Sequence, residues 1–367
     1  MPRTNGTSHP PARLGYRMPA EWEPHAATWI AWPHNQRDWP GKFAAIPWAF
    51  AEIVRKLTLG ERVRILVHSA AHEARADEML SRVGVDRAQV EFFRFATDRA
   101  WTRDFGPLFV VRRGGAKPAR GRGHSRAIAG FRFNAWARYS NWERDARIPA
   151  RAAKALRVPF YPARIDGQDV VLEGGAIDVN GRGSILVTEE CLLSKSVQAR
   201  NPGLGRAELE RVFAENLGVT NVLWLGKGLA GDDTHGHIDD LARFVDPRTI
   251  VICQEKNRRD VNFRALKENR ERLRSMRLED GSRPQVVELP LPAPVVFHGQ
   301  RLPASYANFY ISNACVLVPT FNDPNDRIAL GTLSELFPKR TVVGIHAVDL
   351  VWGYGTIHCL TQQEPRA

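Results

Sequence analysis

The run Phe50-Ala51-Glu52-Ile53-Val54-Arg55-Lys56-Leu57-Thr58-Leu59-Gly60-Glu61-Arg62-Val63-Arg64-Ile65-Leu66-Val67 holds the end of one helix and the whole of one strand. From Phe43 to Leu59 the residues follow an amphipathic helical period, and Val63 to Val67 is a short apolar run of the kind buried inside a sheet. The succession then recurs. Ala70 to Val83 reads as a helix and Gln89 to Phe95 as a strand, followed by a loop at Trp101 and the strand Leu108 to Val111. Farther on, the strands Ser184 to Val187 and Val222 to Leu225 bracket a helix over Arg206 to Asn216. Near the end come the strand Cys315 to Pro319, the helix Asp326 to Phe337 and the strand Thr341 to Ile345. Helices alternating with short strands place the chain in the α/β class, and their recurrence hints at internal repetition.

At 367 residues the chain exceeds the roughly 250–300 that a single core usually supports, so it holds two domains or one domain built from repeats. No linker divides it, which favours a single domain over residues 16–367. Residues 1–15, rich in Pro, Arg and small polar residues, read as a flexible tail without the apolar stretch of a secretory signal. No run of about 20 apolar residues predicts a membrane span. Four widely spaced cysteines without a CxxC pair point to a reduced, cytoplasmic protein, with Cys253 and Cys315 in the core and Cys191 structural.

The formal net charge of +12 raises the question of nucleic acid. Arg112 to Arg126 carries six Lys/Arg and four Gly with no acid, as a flexible loop does. Lys256 to Arg277, with Val261, Leu266 and Leu273 at helical spacing, reads as a helix with a basic outer face. No zinc-finger spacing or RNP-like aromatic run accompanies them, so the basic exterior reads as a solvated surface and no nucleic-acid or membrane partner is expected.

Three polar segments carry chemistry. In Gly353-Tyr354-Gly355-Thr356-Ile357-His358-Cys359, a cysteine amid glycines and polar residues is placed as an exposed nucleophile rather than as a core hydrophobe. In Trp101-Thr102-Arg103-Asp104-Phe105-Gly106-Pro107, a carboxylate on a stiff turn beside an indole suits the N–H fork and flat face of a guanidinium. In Gly231-Asp232-Asp233-Thr234-His235-Gly236-His237-Ile238-Asp239-Asp240, His237 and Asp239 alternate and would share one face of a strand. A metal held by Asp232, Asp233, His235, His237 and Asp239 is the competing reading of that segment. A fourth segment, Leu172-Glu173-Gly174-Gly175, predicts a carboxylate at a strand edge before two glycines.

Together these residues make a mechanism. A protonated guanidinium resists water, so its hydrolysis requires carboxylates to fix the cation, a strong nucleophile and an acid for the departing ammonia. Asp104 and Asp239 would bind the nitrogens, and Cys359 would attack as thiolate. His237 would protonate the ammonia and then activate water against the thiouronium. Glu173 would hold the guanidinium or His237.

The chain resembles the agmatine deiminase family, grouped with the bacterial peptidyl-arginine deiminases in the guanidine-modifying superfamily. The resemblance rests on Met18-Pro19-Ala20-Glu21-Trp22, Trp29-Ile30-Ala31-Trp32-Pro33, the Trp101 segment and Phe133-Asn134-Ala135-Trp136. It continues through Leu172-Glu173-Gly174-Gly175, Thr188-Glu189-Glu190-Cys191-Leu192-Leu193, His237-Ile238-Asp239, Ala304 to Tyr310, Asp323-Pro324-Asn325-Asp326 and Ile357-His358-Cys359. It implies a five-fold pseudosymmetric α/β propeller (pentein-type) of ββαβ units with a central site. Asp104, Glu173, His237, Asp239 and Cys359 would be catalytic, with no metal or other cofactor. Trp101, Trp136, Asn308, Asp233 and Gly355 would bind the substrate. The implied substrate is agmatine, a small guanidine, and the enzyme is compatible with a homo-oligomer. His235, Tyr354 and Thr356 depart from the family pattern and bear on the end of the pocket that receives the second cationic group. Another guanidine, or amidino transfer, is therefore the alternative.

Overall fold

The computed structural model describes residues 9–112 and 124–367. Among these the chain builds one pattern five times: two antiparallel strands, a helix, and a third strand parallel to the second. The first unit pairs Leu108–Arg112 with Arg126–Gly130, then places Ile148–Leu156 as helix and Phe160–Pro162 as parallel strand. The second uses Asp178–Val179, Ser184–Thr188, the helix Arg206–Leu217 and Asn221–Leu225. The third uses Ala242–Phe244, Thr249–Gln254, the helix Phe263–Ser275 and Gln285–Pro290. The fourth uses Tyr310–Ile311, Cys315–Thr320, the helix Pro324–Leu336 and Thr341–His346. In the fifth, Thr361–Pro365 from the end of the sequence pairs antiparallel with His25–Ala31 from its beginning. The helix Ile46–Leu57 then leads to Arg62–Leu66, and the helix Ala70–Arg82 leads to a further parallel strand, Val90–Phe93.

Local chemistry explains these elements. Ile46–Leu57 begins with a proline in its first turn, where no N–H is missed, and buries Ile46, Phe50, Ile53, Val54 and Leu57 on one face. Ser69 and Asp323 cap the helices that follow them by accepting backbone N–H bonds. The middle strands are apolar because both faces are covered: Ile185, Leu186 and Val187 are wholly buried, as are Ile250, Val251 and Ile252. Two of the sequence expectations shift. Pro11–Leu14 is a 3-10 turn with Pro11 buried, packed near Arg206–Leu217, so it does not belong to a tail. Val261 is 66% exposed and lies outside the basic helix, which buries Leu266 and Leu273. Of the basic stretch Arg112 to Arg126, residues 113–123 lie outside the described residues. No helix among the described residues is long and apolar enough to cross a membrane.

Candidate active site

Each unit brings one polar segment to the same place, just before its first strand. Asp104 sits in the helical turn Thr102–Phe105 ahead of Leu108, and Glu173 opens the turn Gly174–Ala176 ahead of Asp178. His237 and Asp239 flank the start of Ile238–Asp240 ahead of Ala242, Asn308 precedes Tyr310, and Cys359 lies in Ile357–Leu360 ahead of Thr361. His237 and Asp239 are thus on a 3-10 turn rather than on the expected strand. Likewise Asp104 is on a turn of helix, not a loop. The register of the repeat, and not a shared strand face, brings the side chains together.

The convergence is close. His237 Nδ1 lies 3.8 Å from Asp104 Oδ1 and 3.9 Å from Asp239 Oδ1, and its Nε2 lies 3.9 Å from Glu173 Oε2. Cys359 Sγ is 3.6 Å from Asp239 Oδ2 and accepts the Asn308 Nδ2–H at 3.2 Å. Asn308 Oδ1 in turn accepts the Thr356 hydroxyl at 2.8 Å and the His358 N–H at 3.1 Å. Asp104 is fixed by the Trp136 indole N–H at 2.9 Å and the Gly175 N–H at 3.1 Å. Four polar atoms in this cluster are buried without any hydrogen-bond partner: both ring nitrogens of His237, Glu173 Oε2 and Asp239 Oδ1. Buried orphans are costly, and their grouping marks where a polar ligand fits.

Two glycines make the room. A Cβ on Gly175 would come within 2.6 Å of His237 Nδ1 and 2.8 Å of Asp104 Oδ1. A Cβ on Gly355 would stand 3.0 Å from Cys359 Sγ and 2.9 Å from the Trp101 ring. From Cys359 a cavity of about 510 Å³ opens outward, walled by Trp101, Asp104, Trp136, Tyr139, Asp233 and Tyr354, with Arg37, Asp38 and Arg99 also lining it. Cys359 is only 5% exposed and meets solvent through this cavity, so it is not the surface thiol expected from its glycine-rich setting. Tyr354 lines the cavity, Thr356 holds Asn308, and His235 is not among the lining residues.

The electrostatics separate the groups. Burial, then Asp239, Asp240 and Asp104, push the Cys359 thiol well above its usual 9.0. Burial opposes charge on His237, but Asp104, Cys191 and Glu173 outweigh it and raise the imidazole well above 6.5. Asp104 is raised to about 6, chiefly by burial. Burial would raise Glu173 as well, yet Arg200 and His237 hold it at about 2. The resting site therefore pairs a thiol with an imidazolium among carboxylates, and a bound cation between Asp104 and Asp239 would favour the thiolate.

The metal set Asp232 to Asp239 is dispersed by this fold. Asp232 accepts the backbone N–H groups of Thr234, Gly236 and His237, while Asp233 accepts the Tyr139 hydroxyl at 2.7 Å on the cavity wall. Donor atoms of Glu173, Cys191 and His237 do lie within 4.8 Å of one another, as do those of Asp239, Asp240 and Cys359. Glu173 is already committed to Arg200, and Asp239 to His358.

Residues 17–365 match the family model described as Porphyromonas-type peptidyl-arginine deiminase. The chain belongs to that family. Among relatives of this family, an agmatine deiminase of Pseudomonas aeruginosa is 33% identical, over 99% of this chain and 98% of that protein. One of Ectopseudomonas mendocina is 32% identical, over 97% of each. The solved agmatine deiminase of Enterococcus faecalis superposes with a TM-score of 0.88 at 30% identity, covering 98% of both chains. A C. jejuni agmatine deiminase with substrate bound gives 0.81 at 28% identity, over 96% of each. The α/β fold is thus that of the peptidyl-arginine deiminase family.

Several residues of the site escaped the sequence. Arg200 is wholly buried, donates to Glu173 Oε1 at 3.1 Å and holds the Thr234 and Gln198 carbonyls. Cys191, expected to be structural, places its sulfur within 4.8 Å of donor atoms of His237 and Glu173. Glu21 and His358 lie behind Asp239. Only a charged residue inside an otherwise family-like motif signals Glu21 and His358; Arg200 carries no local signal.

Proposed function

We propose that the chain is an agmatine deiminase that converts agmatine to N-carbamoylputrescine and ammonia. The carrying observation is the group of unpartnered buried atoms on His237, Glu173 and Asp239 behind Cys359 and Asp104, which themselves line a cavity walled by indoles. In this reading Asp104 and Asp239 hold the guanidinium nitrogens, and the cation's arrival favours transfer of the thiol proton to water in the cavity. Sγ forms a bond to the guanidinium carbon. His237 then gives its proton to one nitrogen, the C–N bond breaks and ammonia leaves a thiouronium. The neutral His237 next takes a proton from water and the hydroxide adds to carbon; the hydroxyl proton then passes to sulfur as the C–S bond breaks, releasing the ureido product and restoring the thiol. Glu173, held by Arg200, keeps His237 charged. Trp101 and Trp136 flank the alkyl chain, Asn308 donates to the sulfur, Gly355 leaves it clear, and Asp233 faces the distal ammonium.

The same reading makes residues 16–367, with the turn Pro11–Leu14 packed on them, one domain, the five units a pentein-type propeller around this site, and the enzyme cytoplasmic and compatible with a homo-oligomer. The repeated placement of one site segment before the first strand of each unit supports the propeller. A second reading draws on Arg37 and Arg99, two cations on the cavity wall. They disfavour a dication and suit a guanidine with an anionic distal end. Ammonia release from agmatine, free arginine and a blocked arginine peptide, by wild type and Cys359→Ser, decides. Turnover of agmatine that vanishes in the variant supports the first reading. Turnover of arginine alone moves the substrate, and release from none removes the deiminase.

A further inference from the structure

The motif Met18-Pro19-Ala20-Glu21-Trp22 takes no part in the chemistry above, yet Glu21 is buried directly behind the site. Its Oε2 lies 2.8 Å from His358 Nε2, and on the opposite edge of the same ring Nδ1 lies 2.7 Å from Asp239 Oδ2. An ionised carboxylate only accepts, so an imidazole held between two of them donates from both nitrogens. Both carboxyls are ionised. Burial opposes charge on Glu21, but Arg243, His358 and Arg103 hold it well below the usual range. Burial likewise opposes charge on Asp239, and the hydrogen bond from His358, with His237 and Arg243 nearby, overcomes it. The chain of contacts ends at Asp239 Oδ1, which is buried and unpartnered.

We propose that Glu21 and His358 are positioning residues: Glu21 fixes the His358 ring, His358 occupies Oδ2 of Asp239, and Oδ1 is thereby left free and correctly turned for a guanidinium N–H. The inference rests on the deiminase reading. Neither residue touches the substrate. Each spans most of the sequence to reach its partner, since Glu21 and His358 are 337 residues apart. The neighbours of this relay are charged on every side. Arg243 pairs with Glu21 at 2.9 Å and with Asp178, and Arg103, from the turn that carries Asp104, pairs with Glu21 at 3.2 Å. On the cavity side Asp239 faces His237, and its own charge weighs on Asp240, Asp104 and Cys359. In that crowd of acids, the hydrogen bond between His358 and Oδ2, with His237 and Arg243 nearby, holds the Asp239 carboxyl low.

The test is kcat and KM for agmatine with wild type, Glu21→Gln, Glu21→Asp and His358→Asn. Glutamine keeps the size of Glu21 but replaces one accepting oxygen with an amide N–H, so the ring loses an acceptor that holds it in one orientation. KM should rise about tenfold in Glu21→Gln and in His358→Asn with a smaller fall in kcat, because a ground-state contact to the cation is weakened. Glu21→Asp should bring KM back towards wild type. A purely structural role would lower the active fraction, and with it kcat, while leaving KM unchanged. A folded Glu21→Gln protein with the wild-type KM overturns the proposal. Nitrogen-15 spectra of histidine-labelled protein add a readout that needs no turnover, with His358 assigned by its loss in His358→Asn. The His358 ring resonances should shift between wild type and Glu21→Gln as the hydrogen bond at Nε2 changes, and unchanged resonances also overturn the proposal. Should wild type release no ammonia from any guanidine, the deiminase reading falls while the spectra still decide the relay.

Discussion

Arg200 and Glu173 form an ion pair 3.1 Å apart in which neither side chain reaches solvent. The pair sits on the Nε2 side of His237, and the remaining Glu173 oxygen is the one that faces the ring. Glu173 is therefore a charged wall against which an imidazolium is stable, and Arg200 is what keeps it charged.

Removal of Arg200 tests that dependence. Arg200→Gln leaves Glu173 buried without its countercharge, which is expected to cost about 3–5 kcal/mol of stability. Glu173 would then take up a proton, His237 would lose its partner, and deimination should fall by roughly 10²-fold or more. The sign with pH follows from the depressed carboxyl. Its contribution to wild-type stability is present above about 4.5 and is lost as pH falls towards about 2. In Arg200→Gln that acid transition should begin at higher pH. Thermal melts across the acid range, together with kcat, check both halves.

Gly175→Ala addresses the space rather than the charge. Its Cβ would meet His237 Nδ1 at 2.6 Å and Asp104 Oδ1 at 2.8 Å, and neither atom belongs to a flexible chain end. Overpacking of this kind costs roughly 1–3 kcal/mol, so the protein should still fold. Turnover should fall by about 10²-fold, since small misplacements of reacting groups have effects of that size. Wild-type-like turnover in a folded Gly175→Ala protein would show that His237 and Asp104 do not work at this separation.

Much of this site was legible because its polar residues sit in unusual company. Asp104, Glu173, His237, Asp239 and Cys359 all stand within a few residues of a glycine, and the fold brings all five together. What pairs with them was not legible. Arg200 meets Glu173, and Glu21 meets His358, only through tertiary closure, and no local period records such contacts. The long helices and middle strands were readable for the opposite reason: Ile46–Leu57 and Ser184–Thr188 bury enough apolar residues to set a period. The outer strands Asp178–Val179 and Tyr310–Ile311 are two residues long, which is too short for alternation to appear. Hence the repeat was sensed as helix followed by strand, while its antiparallel half stayed hidden. The fifth unit hid further, because its first strand comes from the opposite end of the chain.

Ionisation of Cys359 gives a third prediction. Burial and the carboxylates Asp239, Asp240 and Asp104 hold the thiol well above 9.0. Neutral iodoacetamide should therefore alkylate it slowly at neutral pH, with a rate still climbing beyond about pH 9. An amidine alkylator such as 2-chloroacetamidine carries its own positive charge into the space between Asp104 and Asp239. It should react at least about 10²-fold faster at neutral pH, because the thiolate forms beside it. Equal rates for the two reagents would place a thiolate in the free enzyme and remove the need for the cation.

Asp233 carries the last prediction, on which agmatine as substrate depends. Its carboxylate accepts the Tyr139 hydroxyl at 2.7 Å and lies 3.3 Å from the Arg138 guanidinium, so it is already partly neutralised. Arg99, which lies over the same Tyr139 ring, is balanced by Asp38 at 2.9 Å, whose carboxyl burial raises to about 7. Near neutral pH a fraction of Asp38 is protonated and leaves Arg99 uncompensated. A distal ammonium would then have to win its place from Asp233 against that charge. Asp233→Asn should raise KM for agmatine by about tenfold or more while changing kcat little, as loss of a ground-state contact does. KM for agmatine should also fall as pH rises through about 7, as Asp38 ionises and offsets Arg99. If Asp233→Asn leaves agmatine untouched and Arg99→Gln instead weakens a guanidine bearing a carboxylate, the cavity wall serves an anionic end and the substrate is not agmatine. Parallel KM measurements on agmatine and arginine for the two variants separate these outcomes.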